Sequence, residues 1–216
     1  MKRVLAVGCS FLDKSCKSYI GTHIKFWPKI LAEEFNCDIT ILGQSGCGNR
    51  SIHDRIIDHG DGFDFIIAQW TQFWREDWVN CNANWGVDDT NNVYATNSTY
   101  ENVYGQLLWE TNYFNPPAVI DRNIRWINTI RKAYPNSFHL FGPRPIDSHI
   151  VQHFSIPKKF ILKSVNQRSR IEYCVNNILR EKGEEYFIAP NDGHPGQLGQ
   201  DYIADLLYGE MSKCLT

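Results

Sequence analysis

Several things the sequence lacks narrow its function before anything in it is read. No stretch approaches the roughly 18 consecutive apolar residues that a membrane-spanning helix needs. Behind the basic start MKR, the apolar run is only VLAV before Gly8, too short for a secretory signal core. The expectation is therefore a cytoplasmic chain with no membrane partner. The formal net charge is only -2, so there is no broad basic field to draw the protein onto nucleic acid. The seven cysteines are odd in number and scattered, with no C-x-x-C pair, which argues against a zinc ribbon or a thioredoxin-type centre. Free, mostly buried thiols are the simpler expectation. Gly8 and Gly43 do not form a G-x-G-x-x-G fingerprint, and GQSGCGN lacks the Lys-Ser/Thr ending of a phosphate-binding loop. His149 and His153 stand at helical spacing, but no carboxylate-bearing helix accompanies them, so a solvated face is expected there. Nothing implies a metal or a cofactor.

What is present is an ordinary globular composition over 216 residues, 43% hydrophobic and 21% charged. That length favours one large domain over residues 1–216 with a substantial core. Short apolar runs at residues 3–8, 38–46, 63–70 and 137–145 read as strands. Helical spacing marks residues 26–35, 49–60 and 118–135, a long segment over 158–183, and a closing helix from Gln197. A fifth short strand and turn are expected in EYFIAPNDGHPG, residues 185–196. Strands alternating with helices imply an α/β fold, with a mainly parallel five-stranded sheet between two helical layers. The rhythm breaks at about residues 73–117, an Asn-, Trp- and Tyr-rich insertion that reads as a long loop excursion. Its aromatic side chains suit sugar rings or acyl chains, or else form a small satellite core.

In such folds the ligand sits beyond the carboxyl ends of the strands. Four stretches fall there: GCSFLD, GQSGCGNRS, AQWTQFWRE and NDGHPGQLGQDYIA. Taken together and in this order, they resemble the SGNH (GDSL) hydrolase superfamily of esterases, lipases and carbohydrate deacetylases. The first matches the family's glycine, any residue, serine, here Gly8-Cys9-Ser10. The resemblance makes Ser10 the nucleophile. Alternation along a strand points Cys9 the other way, toward packing. The second is similar to the family's Gly-x-Ser-Gly turn and implies Gly46 as an oxyanion donor, because a backbone N–H approaches substrate best without a Cβ.

The third stretch departs from the pattern. The family's strand ends in Gly-x-Asn-Asp, whose Asn side chain completes the oxyanion hole, and here the chain reads Ala68-Gln69-Trp70-Thr71-Gln72-Phe73-Trp74-Arg75. Thr71 or Gln72 can supply a replacement donor, and Arg75 can turn a cation into the pocket. The fourth carries His194-Pro195, which the resemblance makes the general base. The family's orienting Asp stands three residues before that histidine, a place held here by Asn191, with Asp192 two before. Either Asp192 or Asn191 orients the imidazole. A carboxylate stabilises an imidazolium better than an amide does, which favours Asp192. The implied function is serine ester hydrolysis of an O-acylated small molecule or carbohydrate. The alternative is a catalytically impaired carbohydrate-binding or structural protein on the same scaffold.

Overall fold

Residues Lys2–Gly8 (β1), Cys37–Gly43 (β2), Phe65–Trp70 (β3) and Ser137–Phe141 (β6) form parallel strands where the apolar runs predict them. The computed structural model describes residues 1–71, 77–79, 94–96, 116–142 and 172–214. Between β3 and β6, Asp77–Val79 (β4) and Tyr94–Thr96 (β5) pair as a small antiparallel sheet, Trp78 opposite Ala95. The rest of the aromatic insertion, Gln72, Arg75, His149 and His153 lie outside the described residues.

The main sheet has the order β2-β1-β3-β6-β7, all parallel, with Glu172–Cys174 as β7. This is the doubly wound order in which the crossover direction reverses beside β1. Alternation along the strands sends residues to opposite faces. Val4, Ala6, Phe65, Ile67, Phe138 and Leu140 pack against Trp27–Phe35 (α1), Val175–Lys182 (α4) and Gln197–Ser212 (α5). Leu5, Val7, Ile66, Ala68 and Trp70 pack against Asn49–His59 (α2) and Pro116–Ala133 (α3). The result is a three-layer α/β/α sandwich. No described helix is long and apolar enough to cross a membrane.

One expected strand is corrected. Residues 185–196 do not form a fifth strand. Glu184–Tyr186 make a single 3-10 turn, and beyond it only Phe187 bridges to Pro195, antiparallel. Pro190 and Pro195 remove ladder donors from this segment, which suits a strap better than a strand. The edge strand is β7, inside the segment whose spacing predicts a continuous helix over 158–183. Only three residues pair there, Glu172 with His139 and Cys174 with Phe141, before α4 begins at Val175. A three-residue strand running straight into a helix leaves no period of its own to detect.

A buried polar trio fixes the β3–β6 junction. The Trp70 indole Nε1–H donates to His139 Nδ1 at 2.9 Å, and His139 Nε2 lies 3.1 Å from Ser137 Oγ. Indole is only a donor, so Nδ1 must be unprotonated and Nε2–H donates to the serine. The histidine is therefore neutral. Burial, and secondarily the Arg131 charge, push its pKa down to about 3. An unfolded histidine titrates near 6.5. As pH falls below that value, the unfolded chain gains a proton that the folded chain refuses, so folded stability falls with it. Between about pH 7 and about pH 5 this residue alone removes about 2 kcal/mol. Urea unfolding at the two pH values checks this. His139→Gln keeps an acceptor for Trp70 without titrating, and that variant should show a correspondingly flatter pH dependence.

Candidate active site

The site is built where β1, β2 and β3 end together. Gly8 is in register with Gly43 on one side and Gln69 on the other. Ser10–Leu12 then form one 3-10 turn that folds back over the strand ends. Both glycines are needed for that close approach. A Cβ on Gly43 would stand 2.5 Å from the Leu12 carbonyl oxygen, and one on Gly8 would stand 2.9 Å from both Gln69 Cβ and Leu12 Cδ1.

The two adjacent candidate nucleophiles separate cleanly. Cys9 is fully buried among Leu5, Val7, Ile52 and Ile56, on the α2–α3 side of the sheet. Ser10 turns to the other side, where its Oγ lies 2.9 Å from His194 Nε2. On the far side of the imidazole, Nδ1 lies 2.5 Å from Asp192 Oδ1. An ionised carboxylate only accepts, so Nδ1 carries the proton and Nε2 accepts from the Ser10 hydroxyl.

Asp192 holds its place by accepting from the backbone N–H of His194 at 2.8 Å, an Asx turn within the loop. Burial raises the cost of its charge. The hydrogen bonds from the His194 N–H, the Ser18 side chain and the His194 ring outweigh that cost, and the carboxyl sits below its ordinary range. It is thus ionised at neutral pH. The His194 and Asp192 side chains are 21% and 24% exposed, so solvent reaches the site. Of the two residues the spacing leaves open, Asp192 contacts the ring, and Asn191 is exposed.

Gly46 lies in the Gln44–Cys47 turn, closed by the Cys47 N–H on the Gln44 carbonyl at 3.3 Å. Its φ of 80° is one that glycine adopts without penalty. Asp13 ties this turn to the Ser10 loop: its Oδ2 accepts the Ser45 N–H at 2.6 Å, and its Oδ1 accepts the Ser15 N–H and hydroxyl. The Gln44 N–H donates to the Gly8 carbonyl at 3.1 Å, and Arg55 holds the Gln44 side chain.

Thr71, just past β3, is fully buried. Its N–H donates to Asn49 Oδ1 at 2.7 Å, and its Oγ1 has no hydrogen-bond partner among the described residues. The backbone N–H of Thr71 is therefore committed, and the hydroxyl is what the residue has to offer.

Two residues that sequence reasoning does not single out matter here. Asn49 closes a two-way bond with Thr71, donating from Nδ2 to the Thr71 carbonyl at 3.1 Å and to Asn123 Oδ1 at 2.7 Å. It pins the start of α2 to the end of β3. Its position directly after Gly48 in GQSGCGN is the available signal. Asn49→Ala strips the buried Thr71 N–H and C=O of their side-chain partner, an expected loss of about 3 kcal/mol. In a thermal melt that is a fall of roughly 6–12 °C. The second residue is Cys16, whose Sγ lies 3.6 Å from His194 Nε2, on the same nitrogen as Ser10. The thiol beside the imidazole is thus Cys16, not Cys9.

No family model matches the sequence, and no curated protein does. Solved structures do match along nearly the whole chain. A protein assigned to the lipolytic G-D-S-L family, from Desulfitobacterium hafniense, superposes with a TM-score of 0.53 at 13% identity, covering 97% of this chain and 99% of its own. A psychrotrophic esterase from Pseudoalteromonas sp. gives 0.54 at 13% identity, covering 100% and 99%. An acetylxylan esterase from Geobacillus stearothermophilus gives 0.51 at 12% identity, covering 97% and 94%. The chain has the fold of the SGNH hydrolases. At these identities the likeness is one of fold.

Proposed function

We propose that the protein is a serine ester hydrolase of SGNH type, acting on an O-acylated small molecule or carbohydrate. The observation that carries this reading is the unbroken hydrogen-bonded line Ser10 Oγ–His194 Nε2/Nδ1–Asp192 Oδ1, open to solvent at the carboxyl end of a parallel sheet. A serine, a base within reach and a group that fixes the base's tautomer are what acyl transfer through a serine requires. The acetylxylan esterase among the structural neighbours supports the ester class, including carbohydrate esters, on fold grounds.

In the proposed reaction Ser10 Oγ attacks the ester carbonyl while His194 Nε2 takes the hydroxyl proton. Asp192 stabilises the imidazolium that forms. The backbone N–H groups of Ser10 and Gly46 are the proposed oxyanion donors, and Thr71 Oγ1, which has no hydrogen-bond partner among the described residues, is the candidate third donor. The C–O bond breaks, and His194 returns its proton to the leaving alcohol. Water then attacks the acyl-serine with His194 again as base, releasing the carboxylic acid and restoring Ser10. Gln72 and Arg75 remain candidates for substrate contact. No metal or cofactor takes part in these steps.

The test is incubation with a fluorophosphonate probe followed by peptide mass spectrometry, alongside turnover of p-nitrophenyl acetate and acetylated xylan. The adduct is expected on Ser10 in folded protein and absent after denaturation. Folded protein that takes up no probe on Ser10 and turns over none of the esters would sink the reading.

A further inference from the structure

His194 sits in a loop, yet its position relative to Ser10 must hold to a fraction of an ångström. The strap around it is fixed by backbone bonds. The Ile188 N–H donates to the His194 carbonyl at 3.0 Å, and the Gly196 N–H donates to the Tyr186 carbonyl at 2.8 Å. These tie the two limbs of the strap to each other but do not touch the ring. A second set of contacts bears on the ring itself, and none of its members belongs to the proposed triad.

Gln200 is a fully buried amide in α5. Its Oε1 accepts the Trp27 backbone N–H at 2.9 Å. That N–H is an orphan at the start of α1, where Phe26 gives no side-chain cap. Its Nε2 donates to Tyr19 Oη at 3.2 Å and leans toward the Pro195 carbonyl at 3.5 Å. The Tyr19 hydroxyl in turn donates to the Pro195 carbonyl at 3.3 Å. The Tyr19 ring meets the His194 imidazole edge-on, centroids 5.5 Å apart, and Phe26 backs Tyr19 at 4.6 Å. Phe11, one residue past Ser10, meets the imidazole at 5.2 Å. The base is thus in contact with two aromatic rings. One is fixed by its sequence neighbour, Ser10, and the other by a hydrogen bond reaching through Gln200 to the start of α1.

We infer that Tyr19 and Gln200 are positioning residues for His194: a buried clamp, Trp27 N–H to Gln200 to Tyr19 to Pro195, that locks the imidazole on the line between Ser10 and Asp192. The amide suits this post because it is acceptor and donor at once. It caps α1 with its oxygen and orders the phenol with its nitrogen. The phenol suits it because its aromatic edge packs on the imidazole while its hydroxyl reaches the next residue's carbonyl. Burial, followed by neighbouring thiol and carboxyl charges, pushes the Tyr19 phenol above its ordinary range, so the hydroxyl keeps its proton at working pH.

The clamp rests on the ester-hydrolase reading for its kinetic consequence but not for its geometry, and the experiment separates the two. Tyr19→Phe keeps the ring and removes the bond to Pro195. Gln200→Leu leaves the Tyr19–Pro195 bond in place but removes the amide's bonds to Tyr19 and to the Trp27 N–H, which also uncaps α1. In Tyr19→Phe, kcat for p-nitrophenyl acetate is expected to fall roughly 10-fold with KM nearly unchanged, the signature of a displaced catalytic group. The rate of fluorophosphonate labelling of Ser10 falls in proportion. Independently of any turnover, the low-field proton resonance of His194 Nδ1–H, hydrogen-bonded to Asp192, broadens or shifts upfield in both variants. Lower thermal midpoints with kcat, KM and the resonance all as in the wild type would show a merely structural role and overturn the inference. A wild type that hydrolyses no ester while its resonance still differs from both variants would defeat the hydrolase reading and leave the clamp standing.

Discussion

Ser10→Ala is expected to abolish covalent labelling and to lower kcat on p-nitrophenyl acetate by about 10^4-fold or more, with the thermal midpoint scarcely moved. The size follows from chemistry. Without the hydroxyl there is no acyl-enzyme, and only transition-state contacts to a water attack remain. The indifference of the fold follows from packing. Ser10 Oγ bonds the His194 ring at 2.9 Å, and the turn that carries it is held by backbone bonds and by Gly8 and Gly43. His194→Ala should cost about as much, and the double variant no more than either alone, because groups that act as one unit are not additive. Cys9→Ala is the informative contrast. Its thiol lies in the α2–α3 core, so that variant loses stability, by about 1 kcal/mol for the small void, and keeps turnover. Full turnover in Ser10→Ala would remove the serine from the mechanism, and attention would pass to Cys16, the thiol 3.6 Å from the same imidazole nitrogen.

What the sequence revealed and what it hid divide along sequence distance. Gly8-Cys9-Ser10 is legible because a four-residue apolar run, a glycine and strand alternation are all local. They predict both the serine turned toward the site and the cysteine packed on the other face. The four parallel strands and most helices are legible for the same reason. β7 is not, because Tyr173 and its neighbours gain their strand character only by pairing with β6. Asn49, Tyr19 and Gln200 are hidden for a related cause. Each looks like an ordinary polar or aromatic residue until a partner 22, 176 or 173 positions away is brought to it. The missing asparagine after β3 stays a real departure. Thr71 is pinned by Asn49 and offers only its hydroxyl, while Gln72 and Arg75 lie outside the described residues.

The acid beside the histidine is where local spacing stops deciding and the turn takes over. The Asp192 N–H donates to the Ala189 carbonyl at 3.0 Å, which closes a turn over Pro190 and Asn191 and leaves Asn191 exposed. The turn brings the next carboxylate to Nδ1, one residue later than the pattern the chain resembles. Asp192→Asn is therefore expected to lower kcat by roughly 10^4-fold at neutral pH, with KM nearly constant. An amide can present its N–H to the ring, flip the imidazole to the wrong tautomer and leave the imidazolium without a counter-charge. Asn191→Ala should stay within about threefold of the wild type, because an exposed side chain with no role in the line changes little. The carboxylate's depressed pKa adds a second readout. Its hydrogen bonds favour the folded state while it is ionised, so that contribution is full above the ordinary aspartate value and is lost as pH falls from there through the depressed folded-state value. In Asp192→Asn the acid side of the stability curve should flatten there. The reverse ranking, a crippled Asn191→Ala and an active Asp192→Asn, would move the orienting role to the neutral amide and give the site a catalytic dyad instead of a triad.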